Sequence, residues 1–183
     1  MKVFIGGSRK VTRVNTEMRK HLDAMIRKRH TVCIGDANGA DKAVQQYLSR
    51  CEYRNVEVFC VNGKCRNNIG SWKVRSVPAP EGISGFEYYT LKDKEMADEA
   101  SSGFMIWDGK SRGTLRNIHH LVGKGKEVMV YVVPAKETIT LRNPDALGRF
   151  LSRYGVSLSR DSSRLMGHAE KQRSSEVEQL SLI

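Results

Sequence analysis

An α/β fold, with a mainly parallel sheet of about five or more strands covered by helices, is what the pattern of this chain predicts. Three observations carry that expectation. Short apolar runs recur at 2–5, 31–34, 56–61, 103–107 and 127–133. Stretches with apolar residues at helical spacing separate most of them. Three of the runs end in a glycine-bearing turn that opens into such a stretch, which is how a buried parallel strand hands its C-terminal end to a helix.

The first run, 2–5, is broken by Gly6, Gly7, Ser8 and Arg9. A turn of this kind can aim backbone N–H groups and a guanidinium at a phosphate, or it can be a plain turn. Met18, Leu22, Met25 and Ile26 then recur at helical spacing over 16–29 and read as core. The second strand, 31–34, ends in Gly35-Asp36-Ala37-Asn38-Gly39-Ala40-Asp41-Lys42. This opens a helix with Ala43, Val44, Tyr47 and Leu48 on one face. Asp36 and Asp41 stand where open α/β sheets place ligand-binding carboxylates, although a first-turn Asp also suits any helix N-terminus.

The third strand is 56–61. Residues 62–84 read as irregular, because Gly63, Gly70, Pro78, Pro80 and Gly82 interrupt them. A loop of that length is usually functional or mobile. Arg66, Asn67, Asn68, Trp72 and Arg75 could close over a ligand from it, and Trp72 tucked against the core is the plainer alternative. A helix over 86–100 carries Tyr89, Met96 and Ala97 as inward positions, with Lys92, Asp93 and Glu95 near its middle.

Strand 103–107 leads into Asp108-Gly109-Lys110-Ser111-Arg112-Gly113-Thr114, the stretch on which the functional reading centres. Gly109 and Gly113 allow close backbone approach. Ser111 and Thr114 offer hydroxyls, and Thr114 stands where a helix over about 115–122 would be capped. Such a helix points free N–H groups and its positive dipole end at the turn, which suits an anion, most often a phosphate. An ordinary strand-to-helix turn is the competing reading. Strand 127–133 is stopped by Pro134, and a last helix is expected over 144–154.

The 183 residues suffice for one domain, placed at 1–155, with a polar, flexible tail at 156–183. No apolar run approaches the roughly 20 residues needed to span a bilayer, and no leader-like segment opens the chain, so no membrane contact and a cytoplasmic location are expected. The net charge of +11 calls for acidic partners. It is spread over many segments, which allows nucleic acid but does not favour it. Cys33, Cys51, Cys60 and Cys65 show no paired zinc-finger spacing and read as buried or free thiols in a reducing compartment, with no metal site.

Taken together, Gly6-Gly7-Ser8-Arg9, Gly35-Asp36-Ala37-Asn38-Gly39-Ala40-Asp41, Lys92-Asp93 with Met96-Ala97, and Trp107 through Thr114 resemble the SLOG superfamily. This Rossmann-like group includes the cytokinin-activating LOG phosphoribohydrolases, DprA-type proteins and YspA-like domains, and the likeness is nearest to the last. It covers about residues 1–134. The resemblance implies a Rossmann-like three-layer α/β/α fold and a nucleotide-type ligand at the C-terminal edge of the sheet. It also implies a homodimer or higher homo-oligomer. Some relatives cleave N-glycosidic bonds and others only bind a nucleotide signal. LOG enzymes carry a catalytic glutamate in the motif after the fourth strand. Asn117 stands at that position here, and it can neither exchange a proton nor stabilise a sugar cation by charge.

The expected ligand set is therefore Gly6, Gly7, Ser8, Arg9, Gly35, Asp36, Gly39, Ala40, Lys92, Asp108, Gly109, Ser111, Gly113, Thr114 and Asn117. No cofactor is required, and a bound nucleotide is the one candidate. Asp41, Asp93 and Glu95 are the carboxylates available for glycosidic chemistry. A helix N-terminus predicts an ionised Asp41, suited to a nucleophile or a ribose ligand, with a general acid such as Glu95 supplied from elsewhere. A non-catalytic sensor is the alternative.

Overall fold

The computed structural model describes residues 1–156, apart from the side chain of Phe86. The tail expected at 156–183 thus lies, beyond Val156, outside the described residues. The chain divides into two compact units, Met1–Leu147 and Gly148–Ile183. The first holds the sheet. Of the second, the described part is the end of the last helix, where the Phe150 and Tyr154 rings pack 5.1 Å apart.

The elements run β1 (Lys2–Gly7), α1 (Thr16–Arg27), β2 (Thr31–Gly35), α2 (Ala40–Arg50), β3 (Val56–Val61), β4 (Lys73–Val77), α3 (Gly85–Glu99), β5 (Ser102–Trp107), α4 (Arg112–Gly123), β6 (Glu127–Val132), β7 (Glu137–Leu141) and α5 (Pro144–Arg153). The strands form one sheet in the order β4-β3-β2-β1-β5-β6-β7. All neighbours are parallel except β6 and β7. The α/β, Rossmann-like three-layer expectation holds.

The period-2 alternation of each strand divides the core between two faces. Val3, Ile5, Val32, Ile34, Val56, Val58, Phe104 and Ile106 meet Met18, Leu22 and Met25 of α1 and Val44 and Leu48 of α2. The opposite face carries α3 and α4. There Gly103 has no side chain because Leu121 of α4 fills the space, and a Cβ would meet its Cδ1 at 2.5 Å. The helical expectations for Met18, Leu22, Met25, Ala43, Val44, Leu48, Met96 and Ala97 are met by buried residues.

Two strands escape the sequence reading. Residues 62–84 are not wholly irregular, because Lys73–Val77 pairs with β3 from Glu57↔Lys73 to Val61↔Val77. Its pattern is mostly exposed, as an edge strand can be, so no apolar run advertises it. Pro134 does stop β6, but the chain then reverses and Glu137–Leu141 returns antiparallel, with Val132 opposite Glu137. Trp72 takes the plainer of its two readings. It is buried in the core cluster, and its indole N–H donates to Tyr53 O at 2.8 Å. Among the described residues no helix is long and apolar enough to cross a membrane.

The cysteine expectation is corrected. Cys33 and Cys51 are free thiols, but Cys60 and Cys65 are joined in a disulfide.

Candidate functional site

From β1 the chain builds outward through β2, β3 and β4 on one side, and then through β5, β6 and β7 on the other. The strand order therefore reverses between β1 and β5. At such a switch point the two following turns diverge to opposite faces and leave a crevice at the C-terminal strand ends. A cavity of about 360 Å³ opens there, bounded by the turns after β1 and β5, by α3 and by residue Arg66.

The β1 turn is held by backbone. Ser8 N donates to Ile106 O at 2.9 Å and Ser8 O accepts from Ala40 N at 3.0 Å. Gly7 is required, since a Cβ would meet Ile106 O at 2.5 Å and the Ala40 Cβ at 2.8 Å. The β5 turn is organised by Asp108, whose Oδ1 accepts from Lys110 N at 3.1 Å and Ser111 N at 2.8 Å. Burial pushes the Asp108 carboxyl up, but hydrogen bonds from Ser8 and these two amides outweigh it and hold it below the usual carboxylate range.

α4 begins at Arg112, earlier than the spacing suggests, and Ser111 rather than Thr114 is its N-cap. The Ser111 hydroxyl oxygen accepts from Thr114 N at 3.3 Å and from the Thr114 hydroxyl at 2.9 Å. Ser8, Arg9, Lys10, Lys110, Ser111, Gly113 and Thr114 all face the cavity. Basic side chains, hydroxyls and a helix N-terminus thus all border the cavity.

One wall is acidic and buried. Gly35 leaves room over its bare Cα for both the Asp41 carboxylate and the Lys92 ammonium, whose Nζ lies 2.6 Å from where a Cβ would sit. Lys92, 4 % exposed, donates to Asp93 Oδ1 at 2.9 Å and lies 3.8 Å from Asp36 Oδ1. Burial alone would lower its pKa, but Asp93, Asp41 and Asp36 together raise it, so it stays protonated. Asn117 donates to the other Asp93 oxygen at 3.2 Å. Asp41 accepts one backbone bond, from Ala37 N at 3.2 Å.

The helix N-terminus predicts a lowered pKa for Asp41, and the structure gives the opposite. Burial raises it to about 6, only partly countered by Lys92. Desolvation outweighs the dipole because the carboxyl is 7 % exposed rather than on the surface. A carboxyl titrating there can give as well as take a proton near neutral pH.

A third group forms the rim. Arg66 grips Asp36 with three bonds, from its backbone N and Nε to Oδ2, both at 3.0 Å, and from Nη2 to Oδ1 at 2.8 Å. Its guanidinium lies over the Tyr89 ring at 4.4 Å, and that of Arg9 lies 5.5 Å from the same ring.

Of the residues singled out from sequence, Gly6, Gly7, Ser8, Arg9, Asp41, Lys92, Asp93, Asp108, Ser111, Gly113, Thr114 and Asn117 line the cavity. Gly35, Asp36, Gly39 and Ala40 lie behind the wall, where they set its shape and charge. Gly109 sits within the β5 turn, outside the lining. Glu95 is exposed on α3 and is not brought to the site, so no general acid comes from it. Sequence reasoning missed Phe4, Lys10, Ala37, Thr90 and Lys110 as lining residues and took the half-buried Tyr89 as core, while Met96 is core and lining both. The signal was present on α3: Tyr89, Asp93 and Met96 follow the i, i+4, i+7 spacing of one helical face. No protein-family model, curated protein or solved structure matches the chain. The geometry of the cavity therefore carries any functional reading.

Proposed function

We propose that this cavity binds a nucleotide or nucleotide-derived small molecule, with its phosphate at the N-terminus of α4 and its sugar toward Asp41 and Asp93. The observation that carries the reading is the pairing of two unlike sets of groups within one crevice at the strand-order switch point. The β5 turn offers the α4 N-terminus, Ser111, Thr114 and Lys110; α2 and α3 offer the buried carboxylates around Lys92, with Arg9 and Arg66 over the Tyr89 ring beside them. The first set suits a phosphate and the buried carboxylates suit hydroxyls or a developing sugar cation. The resemblance of the motifs to the SLOG superfamily points the same way.

Cleavage or transfer at an N-glycosidic bond extends the proposal, with Asp41 as the proton-exchanging group. Asp93, fixed between Lys92 and Asn117, is the second carboxylate. A nucleotide sensor without chemistry is the second reading. It is favoured by Asn117, which donates to Asp93 where a catalytic glutamate would stand. A homo-oligomer is part of the same proposal, and light scattering that returns 20.6 kDa would overturn that part.

Calorimetric titration with the nucleoside 5′-monophosphates tests binding. We expect saturable binding that Gly113→Val abolishes with the fold intact, because Gly113 faces the cavity. If no monophosphate binds wild type, the reading fails. Chromatographic detection of released base then separates enzyme from sensor: turnover lost in Asp41→Asn supports the enzyme, and no turnover supports the sensor.

A further inference from the structure

Parallel neighbours are usually joined by a helix, because the chain must return the full length of the sheet. β3 and β4 are joined instead by residues 62–72 without one. The start of this crossover is a tight reversal. Asn62 and Gly63 have φ of 51° and 69°, and Lys64 N donates to Val61 O at 3.2 Å. Two successive left-handed residues make a type I′ turn, for which Asn-Gly is a preferred pair. Such a turn sends the chain back beside β3, so the residues one step outside it face each other. Those residues are Cys60 and Cys65, with Cα atoms 5.2 Å apart and their sulfurs bonded.

Arg66 follows Cys65 directly, and it is the crossover residue that lines the cavity. Its side chain is 34 % exposed, so its ion pair with Asp36 is partly open to water. From residue 67 onward the crossover has separate anchors. Gln45 donates to Asn67 O at 3.3 Å and accepts from Ile69 N at 3.0 Å. The Asn68 side chain bonds both N and O of Trp72. Within the turn, Asn62 is tied to the end of β4 through Val77 O and Ala79 N. The disulfide is the covalent anchor of the short piece between, 63–66, whose last residue adds its own bonds to Asp36.

We propose that the Cys60–Cys65 disulfide is a redox latch on the cavity wall: closed, it holds Arg66 in place, and opened by a dithiol reductant, it frees residues 63–66 and withdraws Arg66. Cys60 is wholly buried and Cys65 half-buried, which directs attack to Cys65. A reductant thiolate bonds to the Cys65 sulfur, the Cys60–Cys65 bond breaks, and Cys60 leaves as a thiolate that takes up a proton. The reductant's second thiolate then displaces Cys65, so two electrons pass from the dithiol to the protein.

Hydrogen exchange read by mass spectrometry, on oxidised protein, on protein reduced with dithiothreitol and on Cys65→Ser, tests the latch. Amides 64–66 should exchange at least about tenfold faster in the latter two, with 67–77 unchanged. Three results overturn it: no change at 64–66, a rise extending through 67–77, or unreduced protein whose Cys60 and Cys65 alkylate as readily as the exposed Cys51. A second arm rests on the nucleotide reading and uses adenosine 5′-monophosphate as probe. Its affinity should fall about tenfold on reduction of wild type and stay unchanged on reduction of Arg66→Ala. Equal affinity in both redox states of wild type overturns the latch. No binding in either state overturns the nucleotide reading alone and leaves the exchange data to decide the latch.

Discussion

The turns after β1 and β5 and the crossover between β3 and β4 reach the same cavity by different means. The β5 turn is built almost entirely by its own few residues, while the β1 turn also leans on backbone partners at Ile106 and Ala40. Asp108 bonds amides two and three positions ahead, and Ser111 caps the helix it precedes. The crossover is built by distant partners. Arg66 finds Asp36 thirty residues back, and Gln45 of α2 holds Asn67 and Ile69. Local geometry can be specified by residue type and spacing, whereas the crossover exists only once β2, α2 and β3 are assembled around it.

The largest test of that contrast lies where two local turns touch. Gly39 has φ of 89° and its missing Cβ would overlap the backbone of Arg9. Gly39→Ala should destabilise by roughly 3–5 kcal/mol in chemical unfolding, since neither backbone can yield without moving a strand end. A loss below about 1 kcal/mol would mean that the turns adapt to each other.

Asp41 gives the next effect, and its sign follows from linkage. Its folded pKa of about 6 lies above the ordinary aspartate value of 3.8, so the folded protein binds the proton more tightly. Stability from this group is present in full below 3.8 and is lost as pH rises through about 6. The size is on the order of 3 kcal/mol. Asp41→Asn should flatten that segment of the stability profile and make the protein more stable than wild type at neutral pH. A profile equally steep in the variant would assign the titration to another group.

The crossover should respond to its distant anchor. Gln45 is wholly buried, donates to Gly35 O at 2.8 Å and also holds Asn67 and Ile69. Gln45→Ala leaves those groups without their partner and should cost about 2 kcal/mol. Faster hydrogen exchange should appear around Ile69 and not in the β5 turn. Exchange that rises equally in both regions would dissolve the distinction between them.

The smallest effect belongs to Gly113. It has ordinary helical backbone in the first turn of α4, and a Cβ would meet nothing within 4 Å. Gly113→Ala should be neutral or stabilise by up to about 1 kcal/mol in thermal unfolding. A clear destabilisation would give this glycine a structural duty beyond the contacts it makes.

Most of the acidic wall was legible as a list but not as a place. Asp41, Asp93, Lys92 and Asn117 all stand out by type, yet so does Glu95, three residues from Lys92 and exposed. Helical phase separates them: Lys92 and Asp93 fall on the side toward β2 and α4, and Glu95 does not. The protonation of Asp41 was misread for a related reason. Its position at a helix start is visible in the sequence, but its burial beside Gly35 and Lys92 is not.

By itself, the sequence determined the alternation of strands and helices, the inward residues of α1 and α2, and the glycine turns that end β1, β2 and β5. Each of these depends on neighbours within about one helical turn or on the period of one element. Only the tertiary structure decided the strand order that puts β1 beside β5, the edge strands β4 and β7, the Cys60–Cys65 bond and the pairing of Arg66 with Asp36. The Asn62-Gly63 reversal was there to be read, but its consequence for Cys60 and Cys65 needs β3 to hold Cys60 still. Edge strands carry little apolar signal, and contacts across thirty residues leave no periodicity. Their cause is the packing of whole elements, which no short window of residues contains.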